Sequence, residues 1–259
     1  MIASLRACLK AIALALLVLA ILPVQWLLLP FDALASRSAR LWHRALCGVL
    51  GISVEIVGRP QQHAQTAYVG NHLSYLDIPL LGSVLRGSFV AKREMRQWPV
   101  LGTMATLQHT VFISRAPRHA GRTSDQMETA LAAGRNLIIF PEGTSSDGSL
   151  VLPFKASTFA VLLPRMADGL QVQPFTVDLL AVDGHDVSDR SARDRYAYYR
   201  DMVLGPHLWA FLHARGARLR LSFHPPLDPQ HCVDRKQLAT RAHEAVVSAL
   251  PSVLTANAA

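Results

Sequence analysis

The chain has 259 residues, enough for one sizeable domain with a short appendage; 51% of them are hydrophobic and 17% are charged. The formal net charge is +8, and 22 of the 26 basic residues are arginine, which binds phosphate and carboxylate bidentately and so favours an anionic partner. A GC-rich genome would produce the same bias. The three cysteines exclude a disulfide framework and a metal-binding pair, because they are few and far apart in sequence.

The first predicted element is an apolar helix over residues 11–29, a run of nineteen residues without a charge. That length is close to the ~20 residues that cross a hydrocarbon core. Pro23 and Gln25 interrupt the run, so a bent and partly inserted helix fits as well. A signal peptide cleaved near residues 33–36 and a buried core helix are the alternatives. We expect a membrane anchor, because the run exceeds the ~7–15 residues of a signal-peptide core.

An amphipathic helix is predicted next, over residues 31–51, where arginines alternate with apolar positions. It would lie at the membrane surface or against the domain. Residues 1–50 are therefore expected to form N-terminal membrane-anchoring helices, and residues 51–259 to form a catalytic domain.

Short β-rich runs alternate with helical patterns in the rest of the chain. The predicted strands are 52–58, 66–70, 87–91, 109–114, 136–140, 172–181 and 217–223. The predicted helices are 75–86, 97–107, 121–133, 155–163 and 233–249. This alternation predicts an α/β fold in which helices cover a mixed, mostly parallel sheet. The polar stretch 183–201 is expected to be a surface excursion.

The first candidate site follows the strand over 66–70, where Asn71 and His72 stand at the carboxyl end. Ligands of α/β sheets collect at that edge. Ser74 and Asp77 have the spacing of a capping box, which predicts a helix that begins at Ser74. A carboxylate near the imidazole of His72 would fix its tautomer and make it a better general base. Alternatively, Asp77 only caps its helix and His72 is an ordinary loop residue.

The second candidate site is the turn FPEGT, which follows the strand over 136–140. Gly143 would let a ligand approach the backbone, whose successive N–H groups can hold an anion or a developing oxyanion. The sequence lacks the G-x-S-x-G, H-E-x-x-H, C-x-x-C and P-loop motifs, so metal hydrolysis and P-loop chemistry are not expected. Together, the two sites indicate direct attack of a substrate hydroxyl on an activated acyl group.

Four sequence blocks, within roughly residues 50–230, resemble those of the bacterial 1-acylglycerol-3-phosphate acyltransferases and the wider glycerolipid acyltransferase superfamily. The blocks are NHLSYLD, VFISR, FPEGT and VQPF, and they come in the family's order. The resemblance implies an acyltransferase that moves a fatty acyl group from acyl-CoA or acyl-carrier protein to the free hydroxyl of a lysolipid. It implies no metal and no cofactor besides that co-substrate.

The resemblance also implies a role for each matching residue. His72 would deprotonate the acceptor hydroxyl with support from Asp77. The oxyanion would be steadied, and the acceptor positioned, by Glu142, Gly143 and Thr144. The headgroup would be bound by Arg115, Arg118 and Lys155. The residues expected to support the motifs are Asn71, Phe140, Pro141 and Pro174.

The acceptor is the open part of this prediction. The family often has arginine after FPEGT, where it helps to bind phosphate, whereas this chain has Ser145. The stretches FPEGTSSDG and LPFKAS look like the branch that includes lyso-ornithine lipid acyltransferases. We expect 1-acylglycerol-3-phosphate as the acceptor, giving phosphatidic acid, with lyso-ornithine lipid as the alternative. A non-catalytic lipid-binding protein of the same fold, which would be expected to lack His72 or Asp77, is the alternative of another class.

A basic stretch between Arg86 and Arg122 has seven basic residues against one acid, Glu94. It is expected to attract anionic lipid and the phosphates of the acyl donor, and a solvated helix face is the alternative. Nucleic acid is not an expected partner, because residues 97–107 are too apolar. The resemblance implies a place at the cytoplasmic (inner) membrane, with the catalytic domain facing the cytoplasm. The sequence indicates no oligomeric state.

Overall fold

The computed structural model describes residues 1–114, 120–187 and 190–250. Its helices, numbered in chain order, are α1 (Ile2–Leu28), α2 (Asp32–Leu50), α3 (Asp77–Val84), α4 (Leu101–Leu107), α5 (Ala120–Ala132), α6 (Ala156–Ala167), α7 (Arg190–Arg193), α8 (Leu204–His213) and α9 (Arg235–Ser248). Its strands are β1 (Ile52–Val57), β2 (Thr66–Gly70), β3 (Ser88–Lys92), β4 (Val111–Ile113), β5 (Leu137–Ile139), β6 (Gln171–Val182), β7 (His185–Asp186) and β8 (Ala217–Phe223). Short 3₁₀ helices span Arg93–Gln97 and Pro229–His231.

The strands pair into one sheet in the order β1-β8-β6-β2-β5-β3-β4, with β7 paired to β6. β2 is parallel to β5 and β6, and β3 is parallel to β4 and β5, whereas β8 is antiparallel to β6. Every residue of β2 is buried, as expected for a central strand that helices cover on both faces. The predicted mixed, mostly parallel sheet is confirmed.

Helices pack on both faces of the sheet and enclose two hydrophobic cores. One core, under α1, α2, α3 and α8, contains Leu81 and Phe211. The other, under α5, α6 and α9, contains Phe159 and Leu238. Because successive side chains of a strand point to opposite faces, this double burial fixes the register of each strand. The register in turn fixes the edge of the sheet from which each loop leaves.

Two local predictions are wrong. The helix predicted over 97–107 begins at Leu101, because Trp98 precedes Pro99 and is extended, the conformation favoured before proline. The stretch 183–201 is more than a surface excursion, since Tyr196 and Ala197 are fully buried. The partners that bury these two residues come from distant parts of the chain, so the polar stretch by itself does not identify them.

The N-terminal helix α1 lies along the domain and is continuous through Pro23. Arg6 Nε donates to the carbonyl of His213 at 3.0 Å, and Lys10 Nζ donates to the carbonyls of Leu50 at 3.0 Å and Ala214 at 2.9 Å. These contacts satisfy carbonyls at the ends of α2 and α8, which have no partner within their own helices. The first turns of α1 are therefore held against the domain.

The opposite side of α1 is apolar and exposed. Its side chains recur every three or four residues, at Ile2, Leu5, Leu9, Ile12, Leu16 and Leu19. Among the helices of the described ranges, α1 is the one that is long and apolar enough to cross a membrane. The two sides of α1 thus meet different surroundings.

Candidate active site

Two motif loops leave the same edge of the sheet side by side. β2 and β5 are parallel neighbours, with Val69 opposite Ile139, so their carboxyl ends coincide. The loop after β2 (residues 71–76) is called the histidine loop, and the loop after β5 (residues 140–148) is called the glutamate loop. The structure therefore brings the two candidate sites of the sequence together.

His72 and Asp77 form a close pair in the histidine loop. Nδ1 of His72 lies 2.8 Å from Oδ2 of Asp77, and the His72 side chain is 20% exposed whereas that of Asp77 is fully buried. Because the carboxylate is an acceptor, Nδ1 carries the hydrogen and Nε2 keeps its lone pair. The ring stacks on Phe140, with centroids 4.0 Å apart and planes 13° apart, which fixes its orientation. His72 thus has the geometry of a general base.

The carboxylate of Asp77 is held by several donors. Oδ2 also accepts the amides of Leu73 at 2.7 Å and Ser74 at 3.0 Å, and Oδ1 accepts the hydroxyl of Tyr196 at 2.9 Å. These bonds offset the cost of burying a charged group. The bond to the Ser74 amide is half of the predicted capping box. The predicted helix start at Ser74 is nevertheless wrong, because residues 73–76 wrap around the carboxylate and α3 begins at Asp77.

Glu142 ties the two loops together. Its side chain is buried, and its oxygens accept the amides of His72 at 2.7 Å and Leu152 at 3.0 Å. Burial raises the pKa of Glu142 to about 8, although the two amide donors act in the opposite direction. In return, the amide of Ser146 donates to the carbonyl of His72 at 2.9 Å. In this geometry, Glu142 sets the distance between the loops.

The turn at Gly143 has a backbone conformation that glycine favours. Its φ is +72°, and a Cβ placed there would lie 2.5 Å from Nζ of Lys155. The amide of Lys155 donates to the carbonyl of Pro141 at 3.0 Å, which brings the lysine side chain over the turn. Thr144, the next residue, is exposed. The glutamate loop therefore offers an open backbone turn beside an ammonium group.

Two of the remaining predicted residues lie where β2 meets β6. Asn71 is buried, donates to the carbonyl of Val177 at 2.8 Å and accepts the amide of Val177 at 2.7 Å, so its side chain extends the β2–β6 ladder. Pro174 lies in β6 opposite Val69 of β2. Arg115 and Arg118, the other predicted headgroup ligands, lie outside the described residues.

The sequence did not identify Tyr196 as part of the site. It belongs to a segment, residues 193–199, that crosses over both motif loops and that we call the tyrosine strap. Its signal in the sequence is a cluster of tyrosines, DRYAYYRD, inside a stretch that is otherwise polar. Clustered aromatic side chains in a polar stretch indicate burial, because solvent-exposed loops have little use for them.

The geometry favours proton transfer by one histidine. His72 presents Nε2 on its partly exposed side, and a buried carboxylate stabilises the imidazolium that forms. Over the ranges the structure describes, no group of histidine, cysteine, aspartate and glutamate side chains has the arrangement of a metal site. The arrangement can activate a hydroxyl supplied by a substrate.

Comparisons with known proteins agree with this chemistry. Residues 53–178 match the family described as "Acyltransferase". Over 209 residues the chain is 39% identical to the "Lyso-ornithine lipid O-acyltransferase" of Rhodobacter capsulatus, an alignment that covers 80% of this chain and 73% of that protein. Over 209 residues it is also 34% identical to the "1-acyl-sn-glycerol-3-phosphate acyltransferase" of Neisseria meningitidis serogroup B, covering 78% and 76%.

One solved structure resembles the chain over nearly its whole length. The crystal structure of the 1-acyl-sn-glycerophosphate (LPA) acyltransferase PlsC from Thermotoga maritima aligns with a TM-score of 0.60 at 20% identity. The alignment covers 96% of this chain and 98% of that one. This likeness confirms the fold predicted from the sequence.

Proposed function

The chain belongs to the lysophospholipid acyltransferase family and is a lysolipid O-acyltransferase, and from that premise we propose that its acceptor is lyso-ornithine lipid. The relatives favour this alternative over 1-acylglycerol-3-phosphate, the acceptor that the sequence placed first. The observation that carries the proposal is the position of Ser145, which donates its hydroxyl to the carbonyl of Tyr198. That position offers no cation to a phosphomonoester.

The proposed reaction begins at His72. Nε2 takes the proton of the lysolipid hydroxyl while that oxygen attacks the carbonyl carbon of an acyl thioester. The tetrahedral intermediate collapses as the carbon–sulfur bond breaks, and the imidazolium returns the proton to the leaving thiolate. Asp77 stabilises the imidazolium in between. The products are an ester and a free thiol, with no covalent acyl-enzyme.

The glutamate loop has two roles in this proposal. Backbone amides around Gly143 steady the oxyanion of the tetrahedral intermediate. The ammonium of Lys155, next to Gly143, pairs with the free carboxylate of the ornithine headgroup. Arg115 and Arg118 stay predictions of the sequence as further headgroup ligands. The acyl donor is proposed to be acyl-CoA or acyl-carrier protein, whose thioesters meet the need for an activated acyl group.

The apolar side of α1 supports a place at the membrane. Side chains such as Leu9 and Leu16 are well exposed on it, and Trp209 of α8 is also exposed. We propose that α1 lies in the membrane surface, since Arg6 and Lys10 hold its first turns to the domain. The lysolipid then reaches His72 from the bilayer, and the soluble donor reaches it from the cytoplasm, at the inner membrane.

The proposed function is tested with purified protein in detergent. Thiol release from acyl-CoA and from acyl-carrier protein is measured with lyso-ornithine lipid and, separately, with lysophosphatidate. We expect transfer to lyso-ornithine lipid and a loss of roughly 10²–10⁴-fold in His72→Ala, as removal of a general base should cause. Transfer to lysophosphatidate alone would refute the proposed acceptor. Equal rates for the wild type and His72→Ala would refute the mechanism.

A further inference from the structure

The tyrosine strap joins the histidine loop to the glutamate loop. The amide of Tyr198 donates to the carbonyl of Leu73 at 2.9 Å, while the carbonyl of Tyr198 accepts the hydroxyl of Ser145. Arg193, which is buried, donates from Nη1 to the carbonyl of Gly148 at 3.0 Å. Both motif loops are therefore bonded to the same short segment, which comes more than forty residues later in the chain.

Tyr196 is the strap residue that reaches the proposed catalytic pair itself. Its side chain is fully buried, and its hydroxyl donates to Oδ1 of Asp77 at 2.9 Å. Oδ2 of the same carboxylate already accepts His72 and two backbone amides. Within the described residues, Tyr196 is the one hydrogen-bond donor to Oδ1. Without it, one oxygen of a buried carboxylate has no partner there.

The hydroxyl of Tyr196 is a permanent donor. Burial, and then the charge of Asp77, raise the pKa of Tyr196 well above its usual range, so the hydroxyl keeps its proton near neutral pH. A carboxylate that accepts such a donor holds its negative charge more easily and attracts the proton of a neighbouring imidazole less strongly. The strength of this bond therefore adjusts how readily His72 holds a proton.

We propose that Tyr196 is a positioning residue for the acyl transfer: its hydroxyl fixes the Asp77 carboxylate and limits the basicity that the carboxylate confers on His72. The inference rests on the proposed function, because it assigns a part in that reaction. Tyr196 touches no reacting atom in this arrangement and acts through Asp77. The strap also holds the histidine loop and the glutamate loop together, through its bonds to Leu73 and Ser145.

Other titratable groups face the pair from neighbouring elements, and their effect can be separated. They are Cys47 of α2, Tyr75 of the histidine loop, Glu142 of the glutamate loop with Lys155 beside it, Arg193 of the strap, and His207 of α8, which bonds to Tyr75 and to two strap carbonyls. Burial raises the pKa of Cys47 to about 11 and raises that of Tyr75 further, so both stay neutral near neutral pH. The pKa of Glu142 is about 8, on the alkaline side. Burial lowers the pKa of His207, so the pH profile is read together with the NMR signal of the His72 ring, which separates the two histidines.

The test compares Tyr196→Phe with Tyr199→Phe in the full-length protein. Tyr199 is a matched control, since it is buried in the same strap and donates its hydroxyl to Asp194 at 2.7 Å. The readouts are the NMR titration of the His72 ring and the pH profile of kcat/KM. In Tyr196→Phe we expect both acidic midpoints to rise by about 0.5–1 pH unit and kcat to fall about tenfold. In Tyr199→Phe we expect neither midpoint to move.

A second variant should shift the His72 midpoint in the opposite direction while it keeps the hydrogen bond to Asp77. Site-specific 3-fluorotyrosine at position 196 is a more acidic donor, so it should lower the His72 midpoint while keeping the fold. Midpoints that stay the same in all three proteins, or that move equally in Tyr196→Phe and Tyr199→Phe, would overturn the inference. The ring titration needs no substrate, so a wild type that transfers no acyl group would refute the proposed function and still leave this test decisive.

Discussion

Two histidines near opposite ends of the strands have opposite properties: His72 lies at the carboxyl ends, called the carboxyl edge, and His43 of α2 lies near the amino ends, called the amino edge. At the carboxyl edge, His72 is partly exposed and lies 2.8 Å from a buried carboxylate. At the amino edge, Nε2 of His43 lies 3.0 Å from Oε1 of Gln108, and the side chain is buried. Burial lowers the pKa of His43 to about 4, because a neutral amide does little for an imidazolium. A buried carboxylate partner is what distinguishes His72 from His43.

The amino edge also has a cavity. A space of about 270 Å³ opens beside His43, with Arg40 and Arg86 on its walls. The histidine beside this cavity has an amide partner, Gln108, and not a carboxylate. The hydrogen-bond partner of a histidine therefore indicates its role better than a cavity beside it does.

The largest expected effect comes from exchanging each histidine for glutamine. His72→Gln should reduce kcat for acyl transfer by roughly 10²–10⁴-fold, because the general base is lost. His43→Gln should leave kcat within about threefold of the wild type and reduce stability instead, because a well-packed buried ring is replaced. Initial rates and unfolding midpoints of both variants check this. A large loss of kcat in His43→Gln, with the fold intact, would contradict the assignment of His43 to the core.

The pH dependence of stability should show that folded His43 is neutral. An unfolded histidine titrates near 6.5, and folded His43 titrates at about 4, so between these values the unfolded state binds more protons. The stability that depends on neutral His43 is complete above pH 6.5 and is lost as the pH falls towards 4, by at most about 3 kcal/mol. The wild type should therefore lose more stability than His43→Gln between pH 7 and pH 4.5. Parallel curves from urea unfolding would contradict this assignment.

The smallest effect on activity is expected from glycine-to-alanine exchanges at two positions with nearly the same backbone conformation. Gly143 at the carboxyl edge and Gly134 at the amino edge have φ of +72° and +74°, so alanine should cost about 1 kcal/mol of stability at either. Only at Gly143 does the new methyl group meet a neighbour, Nζ of Lys155; at Gly134 the space is open. Gly143→Ala should lower kcat/KM for the acceptor about tenfold, and Gly134→Ala should not change it. Equal kcat/KM values would remove Lys155 from the site.

The sequence predicted the strands and the local motifs better than the long-range contacts between them. Strands such as 66–70 and 172–181 are marked by β-branched and aromatic runs, and His72 and Asp77 by a local spacing. Such features lie within a few neighbouring residues, so one stretch of sequence contains them. The joining of NHLSYLD with FPEGT followed from the parallel order of the strands.

The tyrosine strap could not be predicted in the same way. Tyr196 meets Asp77 across 119 positions of the chain, and the two residues before it, Asp194 and Arg195, are charged. Its burial depends on β6, β7 and α8 bringing the segment back over the loops. No local pattern contains that path. The same holds for Glu142, whose contact with the His72 amide depends on the register of β2 and β5.

The most direct test of the central claim is a competition between acceptors in one set of vesicles. Wild-type protein receives one acyl donor together with equal amounts of lyso-ornithine lipid and lysophosphatidate, and mass spectrometry counts the two acylated products at early times. Because both acceptors share one enzyme, the product ratio equals the ratio of their kcat/KM values. We expect acylated ornithine lipid to exceed phosphatidic acid at least tenfold, and His72→Ala to form neither product. An excess of phosphatidic acid would contradict the proposed acceptor.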